Sequence, residues 1–113
     1  MRLEAKKYLY DVHQAAGLIA DFTRDKGFAD YQQDALLRSG VERQFEIIGE
    51  ALAQLARLDD ALAARVSEHQ RIIAFRNILI HGYADVDDRV VWDVVETKLP
   101  RLRLEVEVLL AED

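Results

Sequence analysis

The sequence predicts an all-α fold, an up-and-down bundle of four or five helices, on two observations. One proline and five glycines interrupt 113 residues otherwise rich in Ala, Leu, Glu, Gln and Arg, side chains that lose little freedom on entering a helix. Apolar residues recur at steps of three and four, the period of one helical face. Half the residues are hydrophobic and 32% are charged, the balance of a packed domain and not of a disordered tail. The length predicts one domain over residues 1–113.

A first helix is predicted from about Leu3 to about Asp25, because Tyr8, Val12, Ala15, Ile19 and Phe22 keep that period, with Gly27 as its stop. The second, from about Asp30 to Arg57, carries Leu37, Val41, Phe45, Ile48, Leu52 and Leu55 at alternating steps of four and three, a seam suited to antiparallel packing. Asp59 and Asp60 suit the cap of a short turn. A third helix is expected from about Ser67 to Ile80, ended by Gly82. Asp85, Asp87 and Asp88 precede the apolar positions Val91, Val94, Val95 and Leu99, as carboxylates do at a helix start, where the dipole is positive. Trp92 belongs with these positions as a core or dimer contact. Pro100 bends or restarts this helix. From Arg101 to Leu110, Leu102, Leu104, Val106 and Val108 alternate with charges, a strand's period, but a lone strand has no partner here, so helix is the expectation.

Without cysteine, disulfides and thiolate metal sites are excluded. Carboxylate-bridged metal bundles need Glu-x-x-His pairs, which are absent, so neither metal nor cofactor is expected. No apolar run is long enough to span a bilayer, and the first residues lead into an amphipathic segment, which predicts a cytoplasmic protein without a membrane partner. A net charge of −6 argues against salt-driven wrapping of nucleic acid, DNA included. Charge is uneven, however: from Arg65 into the third helix as far as Arg76, the cations Arg65, Arg71 and Arg76 oppose only Glu68.

That helix holds the most unusual stretch, from Arg76 to Tyr83. Ile72, Ile73, Arg76, Leu79 and Ile80 share one broad face, so a guanidinium stands where the pattern asks for an aliphatic chain. It requires a carboxylate partner or a wet cleft. Glu42, Glu46 and Glu50 fall on one face of the second helix and each suits that role; Glu42 is preferred, with Asn77 beside Arg76 as a further supporting residue. His81 ends the third helix, where free carbonyls favour an imidazolium. Arg76 and His81 lie about 140° apart on an ideal helix, so they converge only if the chain leaves the helix near Gly82 or if another surface completes the site. Tyr83 follows the cap, free to turn toward the same cleft. A base, a cation and an acid suffice to cleave RNA without metal, through the ribose 2′-hydroxyl. One histidine serves two proton transfers poorly, and a two-fold dimer supplies a second. The plainer alternatives are an ion pair for Arg76, a helix cap for His81 and a packed aromatic for Tyr83.

The run Arg76-x4-His81-x-Tyr83, preceded by Glu42-Arg43-Gln44-Phe45-Glu46-Ile47-Ile48-Gly49-Glu50-Ala51, resembles the HepT-like branch of the HEPN superfamily, over nearly the whole chain. The resemblance implies a homodimeric, metal-independent endoribonuclease, the toxin of a toxin–antitoxin pair acting on RNA. It implies Arg76 and His81 as the catalytic pair. It also implies Tyr83 as the hydroxyl adenylylated by an MntA-like nucleotidyltransferase antitoxin. The alternative is a catalytically silent helical module that docks a nucleotidyltransferase or a nucleotide in the same cleft.

Overall fold

A computed structural model describes residues 1–112; Asp113, the last residue of the expected domain, lies outside them. The described residues form seven α-helices and no strand: α1 (Leu3–Phe22), α2 (Phe28–Gln33), α3 (Ala35–Leu58), α4 (Asp60–Ala63), α5 (His69–His81), α6 (Asp88–Thr97) and α7 (Leu99–Ala111), with a 3₁₀ turn at Tyr83–Asp85. Five are long and two short, so the expected bundle is present with two added turns. None of these helices is long and apolar enough to cross a membrane.

Several boundaries differ from the sequence reading for local reasons. α1 ends at Phe22, where the Thr23 hydroxyl donates to the Ile19 carbonyl at 2.8 Å. Gly27 therefore does not stop α1; it opens α2, its N–H donating to Asp30 at 2.8 Å. The single helix expected from Asp30 to Arg57 is broken at Asp34, which is extended and accepts from the Leu37 N–H at 3.0 Å, an aspartate N-cap inside an otherwise continuous pattern. The third expected helix starts at His69, after Glu68 in the left-handed region (φ 58°). Pro100 sits in the first turn of α7, where its missing N–H costs nothing, so it restarts the helix.

The core is one hydrophobic cluster centred on α1 and α3, whose Leu9, Val12, Ile19, Val41, Ile48, Leu52 and Leu55 are fully buried. α7 joins through Leu99, Leu102, Val106 and Leu109, and the alternation read there as strand-like reflects Leu104 and Val108 facing outward. Trp92 of α6 lies in this core with its ring 5.4 Å from that of Tyr31 on α2. α5 packs mainly against α3. Its N-terminus is fastened to α7, where Glu105 accepts from the N–H and hydroxyl of Ser67 at 3.1 and 2.6 Å. Lys98 donates to Glu68 at 2.8 Å, and that pairing holds the Glu68 carboxyl below its usual range.

Candidate active site

The site is built where α5 lies on α3. The two helices are joined by ten residues, 59–68, and run antiparallel, so residues at equal depth from the connection face each other. Arg76 is seven residues into α5 and Glu50 eight from the end of α3. Phe75 meets Phe45 edge-on, ring centroids 5.4 Å apart, and Leu79 is the one residue of α5 that is fully buried.

Gly49 brings Arg76 close. A Cβ added at Gly49 would overlap the Cβ of Arg76 and stand 3.0 and 3.2 Å from its Cγ and Cδ. The aliphatic stem of Arg76 thus lies on the backbone of α3, buried along its length with the charged head at the margin. Arg76 Nη1 donates to Glu50 Oε2. Its Nε and Nη2 donate to Asn77 Oδ1 at 3.2 and 2.7 Å. Gln54 in turn donates to Glu50 Oε1 at 3.0 Å. Three of the five donors of a guanidinium are occupied, and two remain for an anion. Only 19% of the Arg76 side chain is exposed, against 52% for Glu50, so the cation is held and its partner is reachable.

Asn77 therefore stands where the sequence reading put it, beside Arg76, whereas the preferred carboxylate, Glu42, does not. Glu42 lies eight residues before Glu50, about 12 Å along the helix, too far down the α3–α5 hairpin. Burial first, then Asp88 and Glu46, push the Glu42 carboxyl above its usual range, against Arg38. Hairpin depth was the signal that selects Glu50 from the three candidates.

His81 is the last residue of α5 and is exposed, with no hydrogen bond or ion pair to a described residue. Helical geometry persists through it, and the cap is Gly82, whose N–H donates to the Ile78 carbonyl at 2.8 Å. Arg76 and His81 are thus not brought together within one chain. Tyr83 begins the 3₁₀ turn and is 77% exposed, accessible to a second macromolecule. Among the described residues, no group of three or more His, Asp or Glu is placed to hold a metal ion.

Comparison with known proteins places the chain in a family. The family profile described as "Ribonuclease HepT-like" matches residues 12–109. A Thermococcus cleftensis protein named "Probable ribonuclease HepT" is 35% identical, the match covering 91% of this chain and 93% of the relative. A Methanocaldococcus jannaschii protein named "Putative RNase" is 30% identical over 94% of this chain and 96% of its own length. A longer protein of that organism, named "Gamma-glutamylcyclotransferase and putative RNase", is 31% identical over 99% of this chain and 50% of the relative. No solved structure matches. With the family profile matched over most of its residues and a relative 35% identical across nearly its full length, the chain belongs to the HepT-like ribonuclease family.

Proposed function

We propose that this protein is the endoribonuclease toxin of a toxin–antitoxin pair, cleaving RNA without metal in a cleft shared by two copies of the chain. The observation that carries the reading is Arg76, a cation fixed by Gly49, Glu50 and Asn77 with donors left over, on the helix that ends in His81. In the reaction a histidine removes the proton of a ribose 2′-hydroxyl, and the 2′-oxygen forms a bond to phosphorus. The P–O5′ bond breaks, and the departing 5′-oxygen takes a proton from an acid. The products are a 2′,3′-cyclic phosphate and a 5′-hydroxyl. Arg76 supplies charge to the phosphorane oxygens, where fixed donors count most.

The shared cleft is supported by what one copy lacks. A single exposed imidazole serves as base or as acid, and two-fold pairing gives each cleft both. α5 also leaves apolar surface uncovered: Ile78 is 54% exposed, beside a groove of about 320 Å³ lined by Ile72, Phe75, Val94 and Leu102. Ile78 lies three residues before His81, so a second copy covering it would sit close to the end of α5.

Tyr83 suits silencing by an MntA-like nucleotidyltransferase. Its hydroxyl attacks the α-phosphorus of ATP, a tyrosyl–AMP bond forms and pyrophosphate leaves. The adduct places bulk and negative charge next to His81, against an incoming RNA phosphate. Co-expression with such a transferase adds the mass of AMP to the wild type and not to Tyr83→Phe.

The deciding experiment incubates the purified protein with mixed cellular RNA in EDTA. Wild type is expected to degrade RNA, and Arg76→Ala and His81→Ala, both folded by circular dichroism, to leave it intact. Equal degradation by all three proteins overturns the site; degradation by none leaves a silent binding module.

A further inference from the structure

A second cleft, of about 270 Å³, opens where α1, α3 and the end of α5 meet, next to the Arg76 seat. Ile47 and Ala51 of α3 line it with apolar surface and Ile80 of α5 forms an edge. From α1 come Tyr8 and Asp11, three residues apart and so on one helical face. The charged lining is Asp11, Glu46 and Glu50 against Arg43 alone, an excess of carboxylate that repels phosphate and favours a neutral group presenting hydrogen-bond donors.

The carboxylates differ in what they already do. Glu50 grips Arg76 and accepts from Gln54, and Glu46 lies 3.4 Å from Arg43. Asp11 is half-buried and makes no hydrogen bond or ion pair to a described residue, so its oxygens are free to accept. A half-buried aromatic ring, a free carboxylate and an arginine on an apolar floor match a flat heterocycle: a face to stack, donors for the carboxylate and acceptors for the guanidinium.

We infer that this cleft is a nucleobase subsite and that it selects guanine next to the cut. Guanine presents N1–H and N2–H₂ side by side to Asp11, O6 and N7 to Arg43, and a face to Tyr8. The other bases lack the paired donors. Glu50 lines this cleft and also holds Arg76, so a base seated here is one side chain from the guanidinium. The inference rests on the ribonuclease reading for its substrate, and the two fail separately.

The test measures binding of guanosine, inosine and uridine to wild type, Tyr8→Leu and Asp11→Asn by equilibrium dialysis, with cleavage of oligonucleotides that carry guanine or inosine at one position. Inosine lacks the N2 amino group. Guanosine is expected to bind wild type about tenfold better than inosine or uridine, the scale of one good base contact. Asp11→Asn, which changes no volume, should erase that preference and cut the guanine and inosine oligonucleotides alike. Equal retention of the three nucleosides by wild type, or an undiminished preference in Asp11→Asn, overturns the subsite. Guanosine binding without RNA cleavage keeps the subsite and removes the ribonuclease reading. Cleavage without base preference does the reverse.

Discussion

α1 and α5 are both amphipathic helices against α3, yet α1 buries six of its 20 residues and α5 one of its 13. The first packs its apolar side into the core and turns only Tyr8 and Asp11 toward the second cleft. The second carries Arg76, His81 and two exposed isoleucines, and it is tied to the rest mainly by α3 and by the pairs at Ser67 and Glu68. The core is thus built mainly by the apolar faces of α1 and α3, and the α5 part of the site is attached to it through a few contacts whose geometry is tight. Stability and function should separate along the same line.

Substitutions in the two regions test that separation most strongly. Leu52→Ala, at a fully buried position between α1 and α3, should lower stability by about 2–5 kcal/mol in chemical denaturation. Ile78→Ala should cost no more than about 0.5 kcal/mol in dilute protein. If a second copy covers Ile78, the wild-type Tm rises with protein concentration and that of Ile78→Ala rises less. A large loss independent of concentration would place Ile78 in the core of a single chain.

A matched pair of glycines sharpens the point. Gly17 and Gly49 are both inside helices, where alanine normally stabilises by about 0.5–1 kcal/mol. An added Cβ meets nothing within 4 Å at Gly17 but overlaps Arg76 at Gly49. Gly17→Ala should therefore raise Tm, and Gly49→Ala should lower stability by about 1–3 kcal/mol and depress RNA cleavage with it. Alanine tolerated equally at both positions would mean that α5 does not need this close approach.

The smallest effect separates the two glutamates of α3. The Glu42 carboxyl titrates above its usual range, so the folded protein holds that proton at a pH where the unfolded chain has released it. Its stabilisation is complete in acid and is lost as pH rises through the raised value. Glu42→Gln should therefore raise Tm slightly at neutral pH, with a gain that vanishes toward acid, and should leave cleavage unchanged. Glu50→Gln, beside Arg76, should reduce cleavage at little cost in Tm.

The all-α class, the apolar seam of α3 and the position of Arg76 on α5 were legible because each is a periodic or compositional signal, whereas the count of helices was short by the brief α2 and α4. The break at Asp34 was not, since one capping aspartate inside a strong seam changes the period by nothing visible. Glu42 was preferred over Glu50 because equal spacing on a helix face carries no depth; depth comes from the α3–α5 connection. Gly49 reads as one more glycine until the stem of Arg76 is seen against it. His81 was placed correctly at the helix end, but its side chain bonds to none of the described residues, so the sequence carried no local signal of what faces it.

In the proposed reaction Arg76 and His81 direct a ribose 2′-hydroxyl at the adjacent phosphate. Mass spectrometry of the fragment ends produced from RNA in EDTA tests it most directly. The account predicts 2′,3′-cyclic phosphate and 5′-hydroxyl ends from the wild type, none from Arg76→Ala or His81→Ala, and no cutting of DNA of the same sequence; 5′-phosphate ends, or cleavage of that DNA, would contradict it.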